Sequence, residues 1–245
     1  SLRAKNLDNL LVLLLVFTGG GLLFVFNRNL MYYSFLTILF LSISLNFQNM
    51  KRELLNSIVF TTISVLLLFL INFFFAVTEQ SVDKYLYYLT VIMTSVLFYV
   101  HFKNNRSNQI FISRLNFVLK LIFFHSFLNF LAYFFISDQL IEISSECYSC
   151  KTYNYIFYYA SEEINLSVMN LFGIEFCRNQ GLFWEPGVLQ IYLNLFFFIQ
   201  AFLLKQNRWL ILIGFVILGT YSTTGIIILI AQLIYLFIQR FNENK

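Results

Sequence analysis

Arg178-Asn179-Gln180-Gly181-Leu182-Phe183-Trp184-Glu185-Pro186-Gly187 places a cation, a glycine break, an aromatic pair and a carboxylate directly before an apolar run that begins at Val188. In so apolar a chain, charges this close together are costly unless they face water or each other. Pro186 is the only proline, and its fixed φ and missing N–H suit the first position of a helix. Glu185 is then the N-cap. The open amides and positive dipole end of that helix would face the same wet pocket as Arg178, an arrangement suited to cradling an anion.

The 245 residues are 59% hydrophobic, 20% aromatic and 11% charged, with a mean hydropathy of +0.74. A soluble domain carries roughly 25% charged residues, so the composition is that of an integral membrane protein. Its apolar segments are continuous runs rather than alternating ones, which favours helices over a barrel. The net charge of +4 is spread along the chain without a basic face, which excludes a nucleic-acid partner. The first apolar run leads into another span and not into a signal cleavage site. A start at Ser1 and an end soon after an apolar run suggest a segment of a longer protein.

Runs long enough to cross a membrane cover Asn9 to Phe26, Leu30 to Phe47, Ser57 to Val77, Tyr85 to Phe102, Leu115 to Ile136 and Pro186 to Leu204. In the first, Gly19-Gly20-Gly21 suits simple helix packing, with close approach of another backbone as the alternative. The last run, Trp209 to Ile238, is broken by Thr220-Tyr221-Ser222-Thr223-Thr224-Gly225, which reads as two short helices around a turn, or as one long tilted helix. The expected fold is therefore all-α: a polytopic transmembrane bundle of about 7–8 membrane helices. Residues 1–136 hold five of them, 137–185 form a long extracytoplasmic loop, and 186–245 carry the rest.

Orientation follows from charge. With the N-terminus inside, eleven of the sixteen Lys and Arg residues fall on inner segments and four, Arg28, Lys84, Lys151 and Arg178, on outer ones. The remaining cation, Lys120, lies within the fifth span and can snorkel to its inner end. No Asp or Glu falls inside these spans, which counts against an ion-coupled transporter. His125 and Asn129, one turn apart, suit interhelical hydrogen bonding better than a relay. Gln190 and Asn194 repeat that spacing below Glu185, where they either extend the pocket inward or pack.

Cys147, Cys150 and Cys177 sit in the outer loop, where a disulfide is favoured over a metal site, with the pairing open. Tyr148, Tyr153, Tyr155, Tyr158 and Tyr159 fit an interfacial belt better than a sugar-stacking platform. The adjacent Glu162 and Glu163 do not make a glycosidase pair. There is no nucleotide loop and no acidic metal cluster, so neither cofactor nor metal is expected.

Arg178-x-x-Gly181-x-x-x-Glu185-Pro186-Gly187 at the head of a span, followed by a hydrophobic helix ending in Thr220-x-Ser222-Thr223-Thr224-Gly225, resembles the O-antigen polymerase and O-antigen ligase superfamily. The resemblance covers roughly residues 137–238. It implies a multi-pass enzyme of the bacterial inner membrane, with an extracytoplasmic active face, acting on polyprenyl-diphosphate-linked oligosaccharides to build lipopolysaccharide or capsule. It further implies membrane lipid and other polysaccharide-assembly proteins as partners. Many members carry a Ser-Arg pair where this chain has Ser222-Thr223, so a second phosphate-binding arginine is missing there. The family also continues through further spans.

In that reading Glu185 is the base for the attacking hydroxyl, and Arg178 holds the diphosphate bidentately, a task lysine does poorly. Gly181, Trp184, Gly187, Gln190, Asn194, Ser222, Thr223, Thr224 and Gly225 make up the expected substrate-binding set. The bland alternative for Arg178 and Glu185 is a mutual salt bridge. The Glu185-Pro186-Gly187 form leans towards polymerase over ligase. From another class, the rival is a lipid or polysaccharide transporter, or a membrane scaffold.

Overall fold

A computed structural model describes residues 2–22, 28–45, 52–76, 81–105, 108–145, 148–160, 168–171 and 174–243, which leaves Cys147, Glu162 and Glu163 outside. The chain is mostly helical. Among the described residues five helices are long and apolar enough to cross a membrane: Leu54–Phe75, Val82–Lys103, Asn108–Gln139, Pro186–Leu203 and Thr223–Asn242. Tyr32–Ser44 and Asn207–Gly219 are apolar but shorter. Two compact units are formed, one from residues 1–19 and 26–115, the other from residues 20–25 and 116–245.

The first unit contains α1 (Leu2–Thr18), α2 (Arg28–Leu45), α3 (Arg52–Phe75) and α4 (Val82–Asn105). Its interior is built from Leu11, Val12, Phe35, Leu39, Phe98 and Val100. The first helix stops earlier than its hydropathy suggests, because Thr18 turns its hydroxyl back to the Leu15 carbonyl at 2.7 Å and the glycines follow.

Gly20 has φ +133°, a conformation open only to glycine, and belongs to the second unit. Its carbonyl accepts the Trp184 amide at 3.1 Å, while the Leu22 amide reaches the Leu182 carbonyl at 2.8 Å. A Cβ on Gly20 would stand 2.7 Å from Val188 Cγ1. The glycine triplet thus serves the close backbone approach that was the alternative reading, and not the packing of a helix.

The second unit takes most of α5 (Asn108–Ile136), then α6 (Pro186–Phe198), α7 (Leu210–Gly219) and α8 (Thr223–Glu243). The expectation of an all-α chain fails between α5 and α6. There β1 (Ile141–Ser145), β2 (Tyr148–Tyr153) and β3 (Phe157–Ala160) form an antiparallel sheet in the order β1-β2-β3, and β4 (Val168–Leu171) pairs with β5 (Ile174–Cys177). A long segment of polar and aromatic residues must pair its backbone somewhere, and hairpins do so locally. The β2–β3 turn places Asn154 and Tyr155 at φ 49° and 55°.

The run after Lys205 is two helices, as expected, but unequal ones: α7 has 10 residues and α8 has 21. The second half is therefore long enough to span by itself.

Between α6 and α8 the contacts advance together. Gln190 lies against Gly225, the Asn194 side chain donates to the Gly225 carbonyl at 3.2 Å, and the Phe202 and Tyr235 rings meet at 5.3 Å. The two helices are parallel, and their N-termini lie side by side. Glycine permits this: a Cβ at 225 would sit 2.8 Å from Gln190 Oε1 and 3.0 Å from its Cβ. Gly225→Ala is expected to destabilise the protein by about 1–3 kcal/mol through overpacking. The unfolding midpoint in detergent should fall, and Gln190→Ala in the same chain should recover part of it.

Candidate functional site

The segment from Arg178 to Glu185 is held from both sides. Asn179 is 1% exposed; its side chain donates to the Ser126 carbonyl at 2.8 Å and accepts from Asn129 at 2.7 Å and from the Gly181 amide at 3.0 Å. Its backbone amide reaches the Gly219 carbonyl at 3.2 Å. Gly181, at φ +56°, closes the turn where a Cβ would come within 3.0 Å of Ser126 Oγ.

Asn129 completes the clamp. It takes the Tyr158 amide at 3.1 Å, gives to the Tyr158 carbonyl at 2.9 Å, and its own carbonyl accepts the Tyr159 hydroxyl at 2.6 Å. Hydrogen-bond glue, expected between helices, here ties a helix to a loop. His125 does the same on a smaller scale, through its Nε2 and the Ile156 carbonyl at 2.9 Å. Tyr159, 1% exposed, is therefore part of the scaffold and not of an interfacial belt.

Arg178 emerges from this clamp half-buried, its Nε donating to the Thr220 carbonyl at 3.1 Å. Burial lowers its pKa from the usual value, and the Glu185 carboxylate opposes that shift. A guanidinium remains charged under any ordinary condition, so the site keeps a cation. Glu185 is close enough to act on Arg178 electrostatically, yet the two form no ion pair among the described residues. The salt bridge weighed as the bland alternative is absent from this arrangement.

Glu185 is exposed and occupies the N-cap of α6 in an extended conformation, with Pro186 following it. Its carboxylate does not cap its own helix. It bends over Gly187 instead, where a Cβ would stand 3.3 Å from Oε1.

The facing turn is tight. Tyr221 adopts φ +47°, an uncommon conformation for a bulky residue, and Thr220 caps α7 by donating its hydroxyl to the Ile217 carbonyl at 2.7 Å. Ser222, buried, accepts the Ile226 amide at 3.0 Å and so precedes α8 as its N-cap, with Thr223 and Thr224 exposed on its first turn. Arg178 thus stands against a turn that opens one helix, and two parallel helix N-termini lie together nearby. Both dipoles and the guanidinium favour negative charge at this end.

No family model, curated protein or solved structure matches the chain.

Of the residues expected at the site, Trp184 is 41% exposed and its indole covers Gly20. Gln190 and Asn194 are each 3% exposed; Asn194 donates to Gln190 Oε1 at 3.0 Å and to the Gly225 carbonyl at 3.2 Å, and both residues pack in the α6–α8 seam. The thiols of Cys150 and Cys177, both buried, are not bonded to each other. Cys150 pairs across the sheet with Ala160, whose amide bonds the Arg178 carbonyl, so a strand separates the two cysteines.

One polar group went unnoticed. In the first unit Asp8, His101 and Ser42 are 1%, 2% and 4% exposed. His101 Nε2 donates to Asp8 Oδ1 at 3.0 Å, and Nδ1 meets Ser42 Oγ at 3.0 Å. The spans drawn from hydropathy began at Asn9, one residue too late to include this carboxylate; α1 buries it.

Proposed function

We propose that the protein is a membrane glycosyltransferase that joins lipid-diphosphate-linked oligosaccharide repeats into a polymer at the extracytoplasmic face. One observation supports the reading above others: Arg178 on the Thr220 carbonyl brings both sequence motifs to one place, at the N-terminal end of two parallel helices. Such a place suits a diphosphate. Glu185, exposed and free of its own helix, takes the proton of the acceptor sugar's hydroxyl. The hydroxyl oxygen bonds the anomeric carbon, the bond from that carbon to the diphosphate oxygen breaks, and the departing diphosphate carries the electron pair to Arg178 and the helix amides. Glu185 then yields its proton to water.

A second reading, an ion-coupled transporter, is favoured by the buried Asp8–His101–Ser42 group, because an ionisable pair buried among apolar helices is a candidate ion path. One experiment separates the two. In cells carrying the full-length protein, Glu185→Gln is expected to reduce surface polysaccharide to single repeats at normal protein level, whereas Asp8→Asn, which can still accept from His101, leaves long chains. Long chains in the Glu185 variant, with loss of export in the Asp8 variant, would reverse the assignment.

A further inference from the structure

Lys120 lies within an apolar helix long enough to span a membrane, and no acid pairs with it among the described residues. Its Nζ is 5.5 Å from the centroid of the Trp209 ring and 5.8 Å from that of Phe124. The guanidinium of Arg208 lies 5.4 Å from the same indole, again without an acidic partner among the described residues. Trp209 is fixed edge-on by Phe123 and Phe124, at 6.3 and 5.5 Å.

The indole face lowers the cost of each cation, but not the repulsion between two cations gathered at one ring. An anion beside both removes that repulsion. The surrounding surface says what the anion is attached to. Phe117, Leu121, Phe124 and Leu128 are 47%, 50%, 37% and 55% exposed and follow one another at helical spacing along α5, a continuous apolar track leading past Lys120.

We propose that Lys120, Arg208 and Trp209 bind the phosphate headgroup of an anionic phospholipid whose acyl chain lies along the Phe117–Leu128 track. The site is separate from Arg178 and Glu185 and does not depend on their role. It fits a phosphate better than a carboxylate headgroup, since two cations at one ring match an anion with several acceptor oxygens.

Tryptophan quenching by brominated lipid tests it. Trp184→Phe leaves Trp209 as the one tryptophan of this chain. In vesicles, dibrominated phosphatidylglycerol should compete for the site at least about fivefold better than dibrominated phosphatidylcholine, the preference that a single interfacial cation confers. Lys120→Gln with Arg208→Gln should bring the ratio to about one, while Lys120→Arg, which keeps the charge, should preserve it. Equal quenching by the two lipids in the parent protein would overturn the proposal. So would selectivity surviving in the double variant, and so would displacement of phosphatidylglycerol by millimolar glycerol phosphate, which would mark a site for free phosphate.

Discussion

Under the proposed function, Arg178→Ala is expected to lower the rate of polymer formation by on the order of 10²–10³-fold, the loss that follows removal of one preorganised donor to a developing anion. Lysine in its place should recover little. The arginine has two tasks in this geometry: Nε is committed to the Thr220 carbonyl at 3.1 Å, and the rest of the fork is left for a ligand. A lysine ammonium carries its three donors on one atom, and so lacks the planar fork that can bond the carbonyl through Nε while offering two parallel N–H groups to a diphosphate. Part of the alanine effect will be structural, because the Thr220 carbonyl loses a charged donor. A modest fall in unfolding midpoint is therefore expected beside the kinetic loss. The two separate in the lysine variant, which should keep most of the midpoint and little of the rate. Turnover of a purified lipid-linked repeat supplies the rate, and a lysine variant within threefold of the parent would show that the guanidinium does not hold the diphosphate.

Features governed by neighbouring residues were legible in the sequence. Pro186 could open a helix because its missing N–H costs nothing there, and α6 does begin at Pro186 with Glu185 as N-cap. The polar interruption at Thr220 to Gly225 had to break an apolar run, and it does. What pairing at a distance decides was not legible. Ile141, Glu142, Ile143 and Ser144 alternate as a strand should, but the five-residue signal is weak beside spans of twenty apolar residues. The glycine triplet gives no hint in sequence that its partner is the Leu182–Trp184 backbone. Asp8 falls just outside the first span because hydropathy sums along the chain, whereas its hydrogen-bond partner, His101, lies 93 positions away. The motifs imply that Arg178 and the turn before α8 share one outer face, not that they touch; the carbonyl that makes the contact, Thr220, carries no side-chain signature at all.

Asn129→Leu should cost about 3–5 kcal/mol, the upper end for loss of a buried polar network, although none of its side-chain partners is charged. Asn129 is fully buried and serves three loop groups at once: the amide of Tyr158, the carbonyl of Tyr158 and the Asn179 side chain. An isosteric apolar group leaves the first two without these partners and takes one of two donors from the third. Asn179 is the residue next to Arg178 and anchors it through Ser126 and Gly219, so freeing Asn179 frees the guanidinium as well. The expected signature is faster hydrogen exchange over residues 157–160 and 178–181, with little change in the helices. His125→Leu is the comparison, since His125 makes one bond to the same segment, at 2.9 Å from the Ile156 carbonyl, and should cost about 1 kcal/mol. If the two variants unfold at the same temperature, Asn129 is not what holds the Arg178 segment to α5, and the placement of Arg178 must come from its own bond to the Thr220 carbonyl.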